Sequence, residues 1–321
     1  KKNFLLDRQD TSEHKKQVLS NLKTPLSGGF VFIIFIIFAD LDLNYILLFS
    51  VFALYLIGIA SDINYISSPK TRIFLQAICV LFFIILNDLS IKSLSFELLD
   101  ELLTFRIFNI LFLLICLLIL INGFNFLDGI NTLVVGNFII CLFSMYYLSK
   151  QNNLNLDFIV IENLLIIFFV IYIFNFFGKS FLGDSGTYSI SFLIGVLFIS
   201  FAYDNYPFIS PYFVACILWY PAIENLFSII RRLYSNKQLS KPDNLHFHHL
   251  LYSFIKNNFL LKKKLFLNTV TGVFINIYLI VSAFMSILYF NHTKALLLII
   301  FINFITYLII YLFLFKKNLQ N

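Results

Sequence analysis

Four short polar stretches interrupt an otherwise apolar chain, and each carries side chains able to handle phosphate or a cation. In the stretch from Asn175 to Thr187 a single carboxylate, Asp184, stands between Gly183 and Gly186. Glycines let backbone come close to a ligand, and a carboxylate at a membrane edge is costly, so this is a candidate metal or phosphate site. A plain polar turn between two spans is the competing reading. Asn122, Asn125, Asp128 and Asn131 recur at a spacing of three. On a helix end that spacing lines them along one stripe, a ladder of amides and one carboxylate for a polar ligand. The same residue types also glue membrane helices together. Asp62 precedes Lys70 and Arg72 around a proline turn. Asp62 can bind metal or act as a base, and the basic pair can hold phosphate or simply anchor a span.

The fourth stretch follows Arg231 and Arg232, which close an apolar run, and extends from Lys241 through His246, His248 and His249. Closely spaced histidines raise zinc, yet no cysteine is near and the carboxylates suit a harder cation. Histidines and arginines at such a mouth serve equally as donors to a diphosphate. Glu224, a carboxylate at membrane depth, is expected to pair with Arg231 or Arg232 or to line the cavity. Three separated aspartates, several Asn and a ring of His, Arg and Lys suit a diphosphate bound through Mg²⁺, which needs only one or two protein carboxylates. Phosphoryl transfer then requires little beyond positioning and charge neutralisation.

The elements that must place these groups are membrane spans. The 321 residues are 60% hydrophobic and 12% charged, with a mean hydropathy of +0.88. Soluble domains carry about twice that charged fraction, so the chain reads as an all-α polytopic membrane protein. Apolar runs fall at about residues 29–40, 45–59, 71–87, 107–122, 132–149, 158–177, 187–203, 208–228, 268–290 and 294–315. They predict ten helices, the first two short against the ~20 residues of a span. The 42 Phe are spread through every run and read as packing and lipid-facing bulk. Cys79, Cys116, Cys141 and Cys216 lie inside apolar runs without CxxC spacing, as small core hydrophobes rather than a disulfide framework or a zinc site.

The net charge of +6 invites a nucleic-acid partner, but its placement speaks for a lipid bilayer and against nucleic acid. With residues 1–28 inside and the sides alternating, only Lys92, Arg106, Lys150 and Lys294 of the 23 Lys and Arg fall outside. That asymmetry puts both ends in the cytoplasm. It predicts a basic segment over 1–28 and a single transmembrane catalytic domain over 29–315. Its cytoplasmic loops lie at about 59–70, 122–132, 178–187 and 228–267, with a tail over 316–321. All four polar stretches then converge on the cytoplasmic face, as an active site at a membrane surface requires. No internal repeat is visible and the polar chemistry is one-sided, which argues against a lipid-linked-sugar transporter.

These residues resemble those of the polyprenyl-phosphate N-acetylhexosamine-1-phosphate transferases, the MraY/WecA-like glycosyltransferase family 4. The likeness covers essentially the whole chain: Thr24 to Gly29, Ser61-Asp62 through Pro69-Lys70, Asn122 to Asn131, Asn175 to Gly186, and Pro242 to His249. Five ordered motifs at alternate cytoplasmic loops are specific where any one alone is weak. The Pro-Asp-x-x-His-x-His-His form looks like the WecA-like branch. That branch's eleven-helix arrangement begins with a span ahead of the basic first loop, so the resemblance implies a further helix upstream of Lys1.

The resemblance implies roles residue by residue. Asp184 is expected as the main Mg²⁺ ligand, joined by Asp128, with Mn²⁺ able to take the same place. Asp128, Asn122, Asn125 and Asn131 would contact nucleotide and diphosphate. Asp62 would be the second aspartate of the family's pair, near the attacking lipid phosphate, and with Asp128 and Asp184 forms the expected catalytic group. Lys70, Arg72, Asn175, Arg231 and Arg232 would bind substrate, and His246, His248 and His249 form the sugar-nucleotide histidine loop. Two positions depart from the pattern: Ser61 stands at the pair's first aspartate, and Asn131 at the second aspartate of an Asp-x-x-Asp ladder. Both remove negative charge. A lipid phosphate, with a second pKa near ~6, is largely dianionic at neutral pH and can attack without a dedicated base.

The implied activity is transfer of N-acetylhexosamine 1-phosphate from a UDP-N-acetylhexosamine to undecaprenyl phosphate, with release of UMP. In the cytoplasmic (inner) membrane such a product primes O-antigen, capsule or teichoic-type polymers, and a homodimer is compatible with it. A catalytically silent homologue that binds nucleotide or lipid is the alternative raised by Ser61 and Asn131.

Overall fold

A computed structural model describes residues 6–8, 23–39, 41–234, 245–258 and 264–320. Backbone in hydrocarbon has only itself to bond, so the apolar runs close into helices. In chain order these are α1 Gly28–Phe38, α2 Tyr45–Asp62, α3 Pro69–Leu86, α4 Glu97–Leu103, α5 Arg106–Leu127, α6 Leu133–Asn152 and α7 Phe158–Phe176. There follow α8 Gly183–Asp204, α9 Pro211–Ile217, α10 Trp219–Tyr234, α11 Phe247–Asn258, α12 Lys264–Leu288 and α13 Thr293–Gln320. Ahead of them β1 Leu6–Arg8 pairs antiparallel with β2 Lys23–Pro25. Local signals start several helices. The Asn44 side chain accepts from Ile46 N at 2.8 Å, and that of Asp157 from Val160 N at 3.1 Å. Pro69 and Pro211 open α3 and α9, where a missing N–H costs nothing.

Among the described residues eight helices are long and apolar enough to cross a bilayer: α2, α3, α5, α6, α7, α8, α12 and α13. The protein is therefore a multi-pass membrane protein. The ten expected apolar segments are all helical, with two corrections. The first forms an 11-residue helix, shorter than the ~20 residues of a full perpendicular span. The eighth is broken into α9 and α10, bent by 72°. Pro221 explains the break, because it has no N–H for the carbonyl of Ile217 and its ring would collide with that carbonyl in a continuous helix. Helix also reaches into the expected loops. α5 continues past Asn122 to Leu127, α8 already begins at Gly183, and Arg231 and Arg232 lie in the last turn of α10.

The bundle is organised around α8: 78% of its 18-residue apolar stretch is buried, against 22% of the corresponding stretch of α13. Ser185, Gly186, Thr187, Ser189, Ser191 and Gly195 keep its surface small, so α1, α2 and α5 pack close on it. The cysteines are free, and Cys79, Cys141 and Cys216 are buried, as expected of core hydrophobes. The phenylalanines divide as expected too: Phe32, Phe124 and Phe168 are fully buried, whereas Phe30, Phe38 and Phe301 are exposed on the outer surface of the bundle.

Candidate active site

A helix begins with backbone N–H groups that have no partner within it and carry partial positive charge. At the start of α8 two aspartates from other helices meet those groups. Asp128, which ends α5, accepts from Gly183 N at 2.8 Å. Asp62, the last residue of α2, accepts from Asp184 N at 2.9 Å with one oxygen and from Ser185 N at 3.1 Å with the other. Gly183 has φ +74°, and a Cβ there would stand 2.8 Å from Asp62 Oδ2. Only glycine fits both the backbone and the space.

The Asp184 carboxylate is thereby held out from the helix start and is 23% exposed. Its Oδ2 accepts from Ser61 Oγ at 2.5 Å, from Arg72 Nη1 at 3.0 Å and from Tyr188 OH at 3.1 Å. Arg72 Nη1 also donates to Ser61 Oγ at 3.0 Å. Among the described residues nothing donates to Asp184 Oδ1. Lys70, two residues before Arg72, is exposed at the same helix start.

The loop before α8 is fixed largely through backbone. Phe181 N donates to Pro25 O, Gly28 N to Phe181 O and Gly29 N to Leu182 O, at 3.0, 3.0 and 3.3 Å. Ser27 Oγ lies 2.8 Å from Ser180 Oγ. Asn175 is buried; its Nδ2 donates to Ser180 O at 2.7 Å and its Oδ1 accepts from Thr132 N. Two helices then press on the first turn of α8. A Cβ on Gly29 would sit 2.5 Å from Gly186 N, and one on Gly58 would sit 2.2 Å from Ser185 Cα.

The expected amide stripe is divided. Asn125 Oδ1 accepts from Thr187 Oγ1 at 2.8 Å and so faces α8 beside Asp128. Asn122 Nδ2 donates instead to Gln76 Oε1 on α3 at 3.0 Å and to its own helix at Leu118 O. Asn131 leaves the stripe because α5 ends at Leu127 and the chain turns through Gly129, φ +153°. It is 1% exposed under α12, with its N donating to Asn268 Oδ1 and its Nδ2 to Thr269 Oγ1.

A second cluster lies at the start of α11. Glu224, fully buried on α10, accepts from Phe247 N at 3.2 Å and from Tyr307 OH at 2.9 Å, and lies 2.9 Å from His246 Nδ1. The expected pairing of Glu224 with Arg231 or Arg232 is not formed, since those residues lie two turns further along α10 and the N-terminus of α11 fills the space. Ser228 Oγ is 3.2 Å from the same His246 nitrogen, and Arg231 Nη2 donates to Ser228 Oγ at 3.5 Å. Arg232 is buried. The His246 and His248 rings stack at 5.5 Å, with His249 4.3 Å from His248. Phe126, on the last turn of α5, packs its ring 5.2 Å from His246. One end of α5 thus borders both clusters: Asn125 and Asp128 on α8, Phe126 on the histidines. Lys241, Pro242, Asp243 and Asn244 lie outside the described residues.

Among the described residues no group of three His, Cys, Asp or Glu is spaced to hold a metal ion. His246 Nδ1 is engaged by Glu224. Asp184 Oδ1 does fit a cation that takes one or two protein carboxylates and completes its shell with phosphate and water oxygens. Several contributors were not singled out in the sequence. Tyr188 lies one helical turn from Asp184, a spacing that was visible. Gly58 and Tyr307 carry no local signal, because their partners Ser185 and Glu224 are far away in the chain.

The family model described as "Glycosyl transferase family 4" matches residues 44–202, from the cap of α2 to near the end of α8. That span holds Asp62, Arg72, Asp128 and Asp184 but not the histidine cluster. A Bacillus subtilis (strain 168) protein named "probable undecaprenyl-phosphate N-acetylglucosaminyl 1-phosphate transferase" is 30% identical over 138 residues. The match covers 41% of this chain and 37% of that protein's length.

Proposed function

We propose, from the premise that this chain belongs to glycosyl transferase family 4, that it transfers N-acetylhexosamine 1-phosphate from a UDP-sugar to undecaprenyl phosphate. One observation carries the reading: carboxylates from three helices meet at the start of α8, where Asp184 is partly exposed beside Arg72. The B. subtilis relative's name favours N-acetylglucosamine 1-phosphate as the group transferred and undecaprenyl phosphate as the acceptor. The lipid diphosphate sugar would prime a cell-surface glycan, with the site on the cytoplasmic side of the inner membrane, where the Lys and Arg asymmetry supports putting it.

In the reaction a lipid phosphate oxygen forms a bond to the β-phosphorus of the UDP-sugar. The bond from that phosphorus to the bridging oxygen breaks, and UMP leaves with the oxygen and its electron pair. Asp184 Oδ1, with Asp128 beside it, would hold a magnesium ion, which when bound supplies neutralising charge for the diphosphate and the departing UMP. Arg72 and Lys70 offer fixed and mobile positive charge to phosphate oxygens. Asp62 has both oxygens on backbone N–H groups, so it orients Asp184. The nucleophile, already a dianion, needs no proton removed. An apolar groove of about 410 Å³ runs between α5, α8, α9 and α10, past Ile119 and Leu226, one turn short of Asn122. It suits a polyprenyl tail.

The test is UMP release by the purified protein with undecaprenyl phosphate, Mg²⁺ and a series of UDP-N-acetylhexosamines, with Asp184→Asn alongside. Lipid-dependent UMP release that disappears in the variant supports the reading. UDP-sugar binding without turnover would make the chain a silent homologue and sink it.

A further inference from the structure

We propose that Glu224 is a positioning residue that decides which nitrogen of His246 meets the donor substrate. The inference rests on the transferase reading above and concerns residues outside the family match. A carboxylate as deeply buried as Glu224 costs several kcal/mol unless it is hydrogen-bonded on all sides. Its donors come from three places: the His246 ring, the first N–H of α11 at Phe247, and Tyr307 on α13. A carboxylate only accepts, so the proton between it and the ring must sit on His246 Nδ1. Nε2 is then the ring position left for a ligand, and no described residue bonds it. The nitrogen opposite a fixed partner is the one that histidine presents for chemistry.

The rest of the cluster serves the same placement. Glu224 sits at the positive end of α11, where negative charge is favoured, and so holds the helix that carries His248 and His249. Tyr311 OH donates to Leu245 O at 3.0 Å, fixing the residue just before the ring. Phe126 braces the ring from α5. A single buried charge on α10 thus couples α13 to the histidines, and through Phe126 the ring is referenced to the helix that also presents Asp128.

The experiment is a double-mutant cycle on the full chain in detergent or nanodiscs. Glu224→Gln keeps the shape and one acceptor oxygen but removes the charge. It is expected to slow UMP release about tenfold to a hundredfold, the scale for the partner that orients a functional histidine. In a His246→Ala background the same change is expected to cost no more than about twofold, because residues acting as a unit are not additive. An equal loss in both backgrounds would assign Glu224 to packing alone and overturn the proposal. Tyr307→Phe, which keeps the charge, gives a folded comparison if Glu224→Gln fails to assemble, and should slow release less than about fivefold. Nitrogen-15 spectra of histidine-labelled protein read the tautomer directly. A wild-type His246 ring that is neutral with its proton on Nε2 would overturn the proposal. If the wild-type protein turns over no UDP-sugar, the transferase reading fails, while these spectra still decide where the proton lies.

Discussion

The aspartate platform and the histidine cluster flank the same end of α5, yet they are built by opposite means. At the platform, side chains from α2 and α5 grip the backbone of α8, and the approach depends on residues without side chains, Gly29 and Gly58. At the cluster, one buried side chain gathers donors from α11 and α13, and the polar contacts run through that side chain. The platform therefore inherits the rigidity of packed helices. The cluster inherits the sensitivity of a buried charge, whose cost rises with each donor it loses. The difference separates the positions where a methyl group does harm from those where a lost oxygen does.

Asp184→Asn is expected to have the largest effect, lowering UMP release at least about a hundredfold to a thousandfold, as loss of a preorganised charge does. Thermal unfolding should change by only a few degrees, because Asn keeps the shape; a variant that unfolds instead would make Asp184 part of the scaffold. Gly58→Ala tests the backbone-built side. Its Cβ would collide with Ser185 Cα, so a loss of about 1–3 kcal/mol is expected, read as a lowered melting temperature with lowered activity. A silent Gly58→Ala would show that the platform tolerates overpacking and erase the contrast. Ser61→Ala removes one of the three donors on Asp184 Oδ2, and a charge-assisted bond of ~1.5–3 kcal/mol predicts a drop of about tenfold or more in UMP release. Tyr311→Phe should have the smallest effect, a loss of about 1 kcal/mol in stability with activity within a few-fold, since it keeps the ring and gives up a hydroxyl whose bond goes to a neutral carbonyl, that of Leu245.

Much of this was legible before any coordinates. Apolar runs gave the helices because hydrocarbon leaves the backbone no other partner, and the isolated Asp62, Asp128 and Asp184 were legible as candidates because uncompensated charge is rare at that depth. The stripe from Asn122 to Asn131 was legible only in part. Spacing of three assumes a helix throughout, and the chain leaves the helix after Leu127, which sends Asn131 under α12. Pro221 was in plain view but falls inside an apolar run, where hydropathy is insensitive to a broken helix. The pairing of Glu224 with His246 was hidden for a different reason: along α10 the nearby charges are Arg231 and Arg232, and only the packing of α11 brings another partner nearer.

By itself, then, the sequence determined that the chain is a bundle of membrane helices, where those helices lie, and which polar residues stand at their ends. Those properties follow from solvent and from local spacing, which any stretch carries within itself. Only the tertiary structure decided what the polar residues do to one another: that Asp62 and Asp128 cap α8, that Asp184 meets Ser61, Arg72 and Tyr188, and that Glu224 holds His246. Each of these bonds except the one to Tyr188 joins residues from different elements. Their partners are set by how helices cross, and the crossings depend on small residues such as Gly29 and Gly58, whose importance lies entirely in what they allow to come close.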